Sequence, residues 1–408
     1  MQILLLTPAL PYPSHQGGAL RNFGILQGLH EAGHTISLLS FHEGSSTGQS
    51  EIAPPLAQSC ARIETVAPPL RTPIHRLRTL LLSRQPDLAR RLDSIPFRDR
   101  LREMLKQTRF DLIQFEGLEM TINLALARQL QPSAKLVYDA HNAEYALQKV
   151  IAEVEIGNRR RLPAALYSRI QAQRITRFER AVCAQSDAVI AVSAEDAAAL
   201  SPFRSDYKVS VLPNGIFTDD YAASAQGVEL GGAVLVFTGK MDYRPNVDAM
   251  QWFSAAILPK IRAQCPDARL YIVGQKPHAS LQTLREDDHV EVTGWVAQVQ
   301  PFLHAAQVYV APLRMGSGTR LKILEAMAAG CAVVATSPAA AGLEAEVRDA
   351  LIIADSETAF ADGVTKLLQN PDQRQALGRE AQQVVRKHYD WSALIPCLLG
   401  IYQEIGLG

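Results

Sequence analysis

Short apolar runs alternate along the chain with longer segments in which apolar residues recur every three or four positions. The runs are mostly continuous and rich in β-branched residues, which is typical of strands covered by helices on both faces. Strands are predicted in the first half at Ile3–Thr7, Thr35–Ser40, Arg62–Val66, Asp111–Phe115, Lys135–Asp139 and Ala188–Ser193. Strands are predicted in the second half at Val234–Thr238, Arg269–Gly274, Val290–Thr293, Val308–Ala311, Ala332–Thr336 and Leu351–Ala354.

Helices are predicted between these strands, for example over Leu20–Ala32, Asn246–Ala263, Arg320–Ala329 and Ala359–Leu368. Regular alternation of strand and helix predicts right-handed βαβ units and parallel sheets. The two sets of strands therefore predict an α/β protein with two doubly wound, Rossmann-like domains. Because such sheets bind ligands beyond the carboxyl ends of their strands, the expected site is a cleft between the two domains.

The predicted break between the domains falls at Pro213-Asn214-Gly215. It gives a first domain over residues 1–212 and a second domain over residues 213–389. The segment 390–408 is predicted to form a last amphipathic helix, with Asp390 as its N-cap. The pattern leaves open whether this helix extends the second domain or crosses back to the first.

Composition narrows the class of protein. The 408 residues are 47% hydrophobic and 20% charged, which excludes a disordered or fibrous chain. The 41 basic and 41 acidic side chains cancel, so no nucleic-acid partner is expected. Five scattered cysteines favour neither a disulfide framework nor a zinc site and indicate a reducing compartment. Because the sequence shows neither a basic leader nor an apolar span, the protein is expected to be cytoplasmic, or at most peripheral on a membrane.

The loop after the first predicted strand is a candidate phosphate contact. Gly17 and Gly18 open a helix that contains Arg21. Glycines allow backbone N–H groups to approach a ligand closely, and a helix start favours an anion. The competing interpretation is a loop that only needs two permissive backbone angles.

A second candidate group follows two later strands of the first half. His141, Asn142 and Glu144 come after Lys135–Asp139, and Glu116 comes after the strand before it. A histidine at the end of a buried strand can hydrogen-bond a hydroxyl or a phosphate oxygen. The competing interpretation is a histidine whose hydrogen bonds are satisfied by its own loop.

The second half holds two candidate phosphate-binding segments. Lys240 directly follows a strand and a glycine, although it could equally be a solvated loop lysine. The loop Gly316-Ser317-Gly318-Thr319 precedes a predicted helix that ends at Gly330. The free N–H groups at the start of that helix suit a phosphate. The competing interpretation is a glycine-rich turn before a core helix.

Three side chains of that helix differ in what they can bind. Arg320 places a charge-assisted donor in the first turn. Lys322 lies two residues on, faces another side of the helix and is the weaker candidate. A carboxylate at Glu325 cannot bind phosphate but would accept hydrogen bonds from the vicinal hydroxyls of a ribose.

Absent motifs exclude several classes. The sequence contains neither G-x-G-x-x-G nor G-x-x-x-x-G-K-[ST], which disfavours a dinucleotide reader and a P-loop ATPase. No Asp-x-Asp pair is present to chelate a magnesium diphosphate, so no metal is expected. Phosphate charge would be met by Lys240, Arg320 and backbone N–H groups.

These segments together resemble the retaining GT-B glycosyltransferases of family 4, which transfer hexoses from nucleotide sugars. The resemblance covers nearly the whole chain and is strongest over Val234–Gly342, in the order FTGKMDYRPNVDA, LYIVGQKP, VEVTGWV and GSGTRLKILEAMAAGCAVVATSPAAAGLE. The first half fits through TPALPYPSHQGGALRNFGILQGLHEAGHTISLLS, YDAHNAEY, DAVIAVSAED and VLPNGI. The resemblance implies a GT-B fold whose two domains face each other across a cleft.

The resemblance also implies roles for matching residues. Gly17-Gly18 would contact the donor phosphate, and His141 would contact the donor sugar or its phosphate. Lys240 stands where the family usually has an arginine that binds the diphosphate. Glu325 matches the second glutamate of the family's E-x7-E element, which holds the ribose. The pair Gly294-Trp295 would border the base.

The sequence departs from the family pattern at two places. Ser317 stands where the first glutamate of E-x7-E would be. The lysine commonly found a few residues after the position of Lys240 is missing, with Arg244-Pro245-Asn246 there instead. We therefore expect Arg320 to replace the missing cation.

The predicted activity is a hexosyltransferase that uses a nucleotide-diphosphate sugar as substrate and needs no cofactor. His141, Lys240 and Arg320 form the expected catalytic group, in which the two cations stabilise the charge growing on the diphosphate. The family binds its acceptor, a saccharide or lipid-linked saccharide, in the first domain. We expect Arg21, Glu116, Asn142 and Glu144 in that acceptor or sugar region, with a place in polysaccharide or glycolipid biosynthesis.

Two further expectations stay open. Arginines over Arg71–Arg109 and Arg159–Arg177 could meet anionic headgroups at the inner face of the cytoplasmic membrane, although charge runs are more often solvated faces. The alternatives to a transferase are a nucleotide-sugar epimerase of the same architecture and a non-catalytic nucleotide-sugar-binding protein.

Overall fold

The computed structural model describes residues 1–13, 17–46, 52–70, 72, 83–149, 162–222, 228–315 and 320–407. The predicted site residues Gly316, Ser317, Gly318 and Thr319 therefore lie outside the described part of the chain. Arg71 and Arg159, Arg160 and Arg161 also lie outside it.

The strands of the first half form one parallel sheet in the order β3-β2-β1-β4-β5-β6-β7. Their bounds are β1 (Gln2–Thr7), β2 (Thr35–Phe41), β3 (Arg62–Val66), β4 (Leu112–Glu116), β5 (Lys135–Ala140), β6 (Ala188–Ala191) and β7 (Ser210–Val211). The chain order reverses between β1 and β4, which are adjacent, and this switch point is where doubly wound sheets bind ligands. All the predicted strands of this half are confirmed, and β7, only two residues long, was not predicted.

The strands of the second half form a separate parallel sheet in the order β10-β9-β8-β11-β12-β13. Their bounds are β8 (Ala233–Thr238), β9 (Ala268–Val273), β10 (Val290–Gly294), β11 (Val308–Ala311), β12 (Ala332–Ala335) and β13 (Ile352–Ile353). The switch point here lies between β8 and β11. The strands β8, β11 and β12 are buried along their whole lengths, as their continuous apolar runs predict.

Helices connect and cover the strands of both sheets. In the first half they are Gly17–Glu31, Pro54–Ser59, Asp87–Arg90, Ile95–Gln107, Leu124–Leu130, Leu162–Gln185 and Ala194–Leu200. In the second half they are Asp219–Ala222, Arg244–Trp252, Leu258–Arg262, Gln300–Ala305, Leu321–Ala328, Ser337–Ala340, Ala345–Asp349, Glu357–Gln369, Pro371–Tyr389 and Trp391–Glu404. Residues 144–149 are helical as well. None of the helices in the described ranges is both long and apolar enough for a bilayer crossing.

The helix predicted over Asn246–Ala263 differs from its prediction in the middle. It is α-helical over Arg244–Trp252 and Leu258–Arg262, with one π-helical turn over Phe253–Ile257 between them. Pro259 has no backbone N–H, so the regular α-helical ladder cannot continue through it. The wider turn before the proline accommodates that interruption.

The chain divides into two compact units. The first unit contains residues 1–214 and 394–408, and the second contains residues 215–393. Each unit has its own apolar core, built on its own sheet. The units part at Pro213-Asn214-Gly215, the segment that the sequence marks as a break.

The last helix, Trp391–Glu404, ends in the first unit. Asp390 caps it as predicted, since its Oδ1 accepts a 2.8 Å hydrogen bond from the backbone N–H of Ser392. The helix packs on the helix Gly17–Glu31, where a Cβ added to Gly28 would lie 2.2 Å from Cγ1 of Ile395. Only glycine permits this close approach.

Candidate functional site

Glu116 and His141 form a hydrogen-bonded pair in the first unit. Glu116 ends β4 and lies opposite Asp139 of the neighbouring strand β5, after which the chain continues to His141. Nε2 of His141 is 3.2 Å from Oε2 of Glu116. Burial, and then the charge of Asp139, raise the pKa of Glu116. Burial opposes protonation of His141, but the hydrogen bond to Glu116 and the charge of Asp139 outweigh it and raise its pKa.

Arg21 forms a buried ion pair with Asp139. Its Nε donates to Oδ2 at 2.8 Å and its Nη2 donates to Oδ1 at 2.7 Å. Its Nη1 donates to the backbone carbonyls of Leu212 and Pro213 at 2.9 and 3.2 Å. Arg21 was expected in the acceptor or sugar region, but its side chain is 1% exposed and its guanidinium donates to Asp139 and to backbone carbonyls, so it is placed as a buried structural residue.

The carboxylates beside His141 could in principle bind a cation. Donor atoms of Glu116, Asp139 and His141 lie within 4.8 Å of one another. Arg21 already brings a positive charge into this cluster and occupies both oxygens of Asp139. The cluster thus satisfies its carboxylates through protein donors.

A hydrogen-bond chain links the last helix to His141. The hydroxyl of Tyr402 donates to Oε1 of Gln114 at 2.5 Å, and Nε2 of Gln114 donates to Oε1 of Glu116 at 2.7 Å. Tyr402, Gln114 and Glu116 are each fully buried. No local pattern in the sequence indicates this hydrogen-bond chain, because Tyr402 lies 288 residues from Gln114.

Glu179 holds the loop that follows His141. Its carboxylate accepts hydrogen bonds from the backbone N–H groups of Glu144 and Tyr145, at 3.1 and 2.8 Å, and from the hydroxyl of Tyr138 at 3.0 Å. The two N–H groups open the helical residues 144–149, so Glu179 acts as a cap contributed by another helix. Burial raises its pKa to about 7.

Gly18, one of the two predicted glycines Gly17 and Gly18, lies beside His141. Both glycines are exposed and open the helix that follows β1. A Cβ added to Gly18 would lie 3.6 Å from Nδ1 of His141. Asn142 is exposed, and its Nδ2 donates to Oε1 of Glu144 at 3.3 Å. The first unit thus brings Gly18, Glu116, His141 and the Asn142–Glu144 pair to one end of its sheet.

In the second unit, Lys322 lies at the turn that carries Lys240. Its Nζ donates to Oδ1 of Asn246 at 2.7 Å, and Nδ2 of Asn246 donates to the carbonyl of Lys240 at 2.8 Å. A Cβ added to Gly239, whose φ is +152°, would lie 2.6 Å from the Lys322 Nζ. Asn246 therefore joins the Lys322 ammonium to the backbone of the Gly239–Lys240 turn at the carboxyl end of β8.

The sequence analysis treats Lys322 as a weaker phosphate-binding candidate than Arg320 because it faces another side of the helix. In the structure, that orientation is what brings Lys322 to the turn after β8. Lys322 does face another side of the helix than Arg320, but that side is the one against Gly239. Its Nζ also lies 4.4 Å from the ring centre of Phe237. Burial lowers its pKa to about 7. One sequence signal could have identified Lys322 as a site residue. It lies three residues before Glu325, and residues at this spacing share one face of a helix.

Glu325 is partly buried and hydrogen-bonded to Tyr221. Burial raises its pKa, against the opposing effects of Tyr221 and Lys322. Tyr221 belongs to the short helix Asp219–Ala222 and was not a predicted site residue. The carboxylate that the sequence assigns to a ribose thus lies one helical turn from the Lys322 ammonium.

The remaining predicted residues of this unit are solvent-facing or partly so. The Lys240 side chain is 52% exposed, and its Nζ is 4.0 Å from Oδ1 of Asp242. Arg320 precedes the helix Leu321–Ala328 and contacts Tyr243, and two of its N–H groups, at Nε and Nη2, have no partner in the described ranges. Burial lowers the pKa of Arg320. Trp295 is 72% exposed beside Gly294, whose φ is +77°.

Comparisons with known families match both units. Residues 17–220, half of the chain, match the family described as Glycosyltransferase Family 4. Residues 232–370 match the family described as Glycosyl transferases group 1.

Relatives of known name match part of the chain. A phosphatidyl-myo-inositol mannosyltransferase of Mycobacterium tuberculosis (strain CDC 1551 / Oshkosh) is 31% identical over 208 residues, covering 48% of this chain and 53% of that protein. A glycogen synthase of the same strain is 27% identical over 210 residues, covering 48% of each protein. The matched region thus spans about half the length of these relatives.

Solved structures match over nearly the whole chain. Anabaena Alr3699/HepE, in complex with UDP and glucose, has a TM-score of 0.65 at 16% identity, covering 99% of this chain and 100% of that one. WaaG, a glycosyltransferase involved in lipopolysaccharide biosynthesis, has a TM-score of 0.62 at 17% identity, covering 100% of both. At these identities the likeness shows the fold. The chain has the GT-B fold of two Rossmann-like domains, and it belongs to glycosyltransferase family 4.

Proposed function

We propose that this glycosyltransferase moves a hexose from a nucleotide-diphosphate sugar to a saccharide or lipid-linked saccharide acceptor, with retention of the anomeric configuration. The second unit would bind the donor and the first unit the acceptor. The observation that carries the proposal is the pairing of Lys322 with the Gly239–Lys240 turn through Asn246, one helical turn before the carboxylate of Glu325. Such an arrangement offers cations to a diphosphate and an acceptor group to a ribose.

The chemistry follows from where charge develops. Cleaving the anomeric C–O bond leaves an oxocarbenium-like sugar and places negative charge on the departing diphosphate. Lys240, Lys322 and Arg320 would stabilise that charge, together with backbone N–H groups at the start of the helix Leu321–Ala328. Removing one such donor is expected to lower the rate by about 10²–10³-fold.

Arg320 stays in the proposal because two of its N–H groups have no partner in the described residues. Buried donors without a partner cost free energy unless a ligand or water accepts from them. A phosphate oxygen would supply that acceptor. We add Lys322 to the residues that would bind the diphosphate, because it lies at the turn after β8. Arg320 and Lys322 together would then replace the lysine that the family commonly has a few residues after the position of Lys240.

His141 is proposed to contact the transferring sugar or its phosphate. Its Nε2 is held by Glu116, and its other ring nitrogen lies beside Gly18, which is exposed. The Glu116 hydrogen bond orients the ring and favours its protonated form. Retention would follow from attack on the same face as the leaving group, with a diphosphate oxygen taking the proton of the acceptor hydroxyl.

The relatives support a sugar nucleotide as donor without fixing its base. One relative is named a mannosyltransferase, one is named a glycogen synthase, and one solved structure holds UDP and glucose. We therefore propose a role in polysaccharide or glycolipid biosynthesis. A nucleotide-sugar epimerase and a non-catalytic binding protein are the alternatives that the experiment must separate.

The experiment is to incubate the full chain with UDP-glucose or GDP-mannose and follow the donor by NMR. With a mixture of saccharide acceptors, nucleoside diphosphate should appear together with a new glycoside of unchanged anomeric configuration. Conversion of the donor to an epimer without acceptor would support the epimerase. Tight binding of UDP or GDP with an unchanged donor would support the binding protein.

We further propose that the reaction needs neither a metal nor another cofactor, because lysine and arginine side chains can meet the diphosphate charge. Turnover should be the same with EDTA as with added magnesium. A rate that depends on the metal would contradict this.

We also propose that the protein is cytoplasmic and binds the inner membrane surface peripherally, although many of the arginines that the structure describes are already paired. Between residues 90 and 102, Arg90, Arg91, Arg98, Arg100 and Arg102 each pair with a carboxylate. Paired arginines attract a lipid surface less than free ones do. A cytoplasmic protein that binds the inner membrane surface should still sediment with anionic vesicles at low salt, and equal sedimentation with neutral vesicles would exclude that role.

A further inference from the structure

A cavity of about 360 Å³ opens in the first unit, beyond the carboxyl ends of β4 and β5. Its volume falls within the range of small-molecule sites. The polar residues of its wall are Arg91, Glu119, His141, Asn142, Glu144 and Gln148. The wall combines side chains predicted to bind sugar with Arg91, Glu119 and Gln148, which the sequence did not single out.

The wall alternates hydrogen-bond donors with acceptors. Asn142 and Gln148 each offer an N–H₂ group and a carbonyl oxygen, and Glu119 and Glu144 offer carboxylate oxygens. The side chain of Asn142 is exposed and already oriented by its 3.3 Å contact with Glu144. Sugar hydroxyls both donate and accept, so a wall of this kind can pair several neighbouring hydroxyls at once.

The carboxylate of Glu144 is the charged group of the cavity wall that no ion pair balances among the described residues. The guanidinium of Arg91 is paired with the carboxylate of Glu119. Glu144 accepts a hydrogen bond from Asn142 and has no ion-pair partner within 4.0 Å among the described residues. Burial, with the charge of Glu119 adding to it, raises the pKa of Glu144. An anion brought to this wall would meet the Glu144 carboxylate, a guanidinium already paired with Glu119 and an imidazole already paired with Glu116.

We propose that this cavity receives the acceptor as an uncharged, hydroxyl-rich sugar unit and discriminates against a unit that carries phosphate or carboxylate. The inference rests on the proposed function, because it assigns the acceptor of that same reaction. The geometry behind it is that the paired Arg91–Glu119 side chains and the Asn142–Glu144 pair line the same cavity. His141 in the same wall would bring the bound sugar next to the group proposed to contact the donor.

The test uses saturation-transfer NMR on the full chain with matched sugar pairs. The probes are the methyl glycosides of glucose, mannose and galactose, each compared with its 6-phosphate. At least one neutral glycoside should bind, and its 6-phosphate should bind about 10-fold more weakly, as expected for one like charge a few ångströms away near a protein surface. Equal or tighter binding of the phosphates would overturn the proposal.

Variants separate the charge of the wall from its hydrogen bonds. Glu144→Gln keeps the shape and removes the charge, so the preference for the neutral sugar should fall about 10-fold. Asn142→Ala should weaken the neutral sugars themselves. Glu103→Gln, an exposed carboxylate of the helix Ile95–Gln107, is the matched control and should change neither value. Unchanged preferences in Glu144→Gln would contradict the proposal.

Calorimetry on the same samples measures the binding of UDP and GDP. It tests the proposed donor site separately from the acceptor cavity. If nucleotides bind and no neutral glycoside does, the cavity proposal fails and the donor site stands. If neither nucleotide binds, the proposed function fails on its own. Normal nucleotide affinity in each variant also shows that the chain has folded.

Discussion

Asn246 ties Lys322 to the turn at the end of β8, with its Oδ1 2.7 Å from the Lys322 ammonium nitrogen. The other end of the same amide binds the carbonyl of Lys240. One amide thus fixes an ammonium that comes from a helix 76 residues away in sequence. The predictions below begin with this lysine, because it connects local geometry to a measurable ligand affinity.

Replacing Lys322 should weaken nucleoside diphosphate binding more than replacing an exposed lysine. We expect Lys322→Ala to raise the dissociation constants of UDP or GDP by about 10- to 100-fold, since a charge-assisted hydrogen bond is lost. Calorimetric titration measures this. Lys260→Ala, on the exposed side of the helix Leu258–Arg262, serves as the control and should bind normally. An unaltered affinity in Lys322→Ala would remove this residue from the donor site.

Nucleotide affinity should fall as the pH rises above about 7. The lowered pKa of Lys322, about 7, means that its ammonium is increasingly neutral at alkaline pH in the free protein. A diphosphate stabilises the ammonium, so binding must then take up a proton. Calorimetry at pH 8 in two buffers of different ionisation enthalpy should reveal that uptake. In Lys322→Ala the uptake should vanish; its persistence would point to another group.

Gly239→Ala should both destabilise the second unit and weaken nucleotide binding. The added Cβ would lie 2.6 Å from Lys322 Nζ and 2.8 Å from Asn246 Nδ2, at a φ of +152° that side chains rarely adopt. We expect a loss of about 1–3 kcal/mol in the free energy of unfolding, measured with urea. Gly231→Ala is the control, because Gly231 has no positive φ and is exposed. Equal stability of the two variants would contradict the close packing.

Tyr402→Phe should lower the pKa of His141. The Tyr402 hydroxyl holds the Gln114 amide so that its N–H₂ group donates to Glu116. Without that hydroxyl, the amide supports the Glu116 carboxylate less, and the carboxylate in turn stabilises the charged imidazole less. NMR titration of the His141 ring against the exposed His278 measures the shift.

Tyr145→Phe is the matched control for that variant. It also removes one tyrosine hydroxyl hydrogen bond in the first unit, to the carbonyl of Ala199, but does not touch Glu116. Both variants should lose about 0.5–1.5 kcal/mol of stability. Only Tyr402→Phe should shift His141, so a shift of the same size in both would refute the hydrogen-bond chain.

Glu179→Gln should change how stability depends on pH. The pKa of Glu179 is raised from an ordinary 4.5 to about 7 in the folded protein, so folding favours its protonated form. That contribution is complete below pH 4.5 and is lost as the pH rises to 7. Relative to Glu179→Gln, the wild type should therefore gain about 2–3 kcal/mol in the free energy of unfolding between pH 8 and pH 5.

Urea unfolding of both proteins at several pH values measures that difference. The comparison with the variant removes the pH dependence of all other groups. Glu103→Gln, an exposed carboxylate, should follow the wild type at each pH. A constant difference between wild type and Glu179→Gln would mean that Glu179 does not hold its proton in the folded state.

Much of the fold was predictable because it rests on local patterns. Continuous β-branched runs predicted β11 over Val308–Ala311 and β3 over Arg62–Val66 to the residue. The two-residue strand β7 was missed because it is too short to show any period. Pro259 is the residue that could have predicted an interruption of the α-helix here, since a proline inside a helix removes one backbone hydrogen bond.

The candidate site was predictable only in part. Order along a parallel sheet brings Glu116 and His141 together, because the carboxyl ends of adjacent strands share one edge. The partners Gln114, Tyr402 and Glu179 carry no motif and come from distant parts of the chain. The sequence analysis underestimated Lys322 as a phosphate-binding residue. It compared the position of Lys322 on the helix with that of Arg320 and did not consider the turn at Gly239, against which Lys322 packs.

Hydrophobic period and short motifs act over a few residues, so the two doubly wound sheets, the family and the loops that follow the strands could all be predicted from local patterns. Tertiary structure alone decided which side chains serve those loops. Arg21 became a buried partner of Asp139, and Lys322 became the ammonium that binds Asn246 beside the turn at Gly239, through contacts spanning 118 and 76 residues. Such choices depend on which surfaces pack together, and no local pattern encodes that.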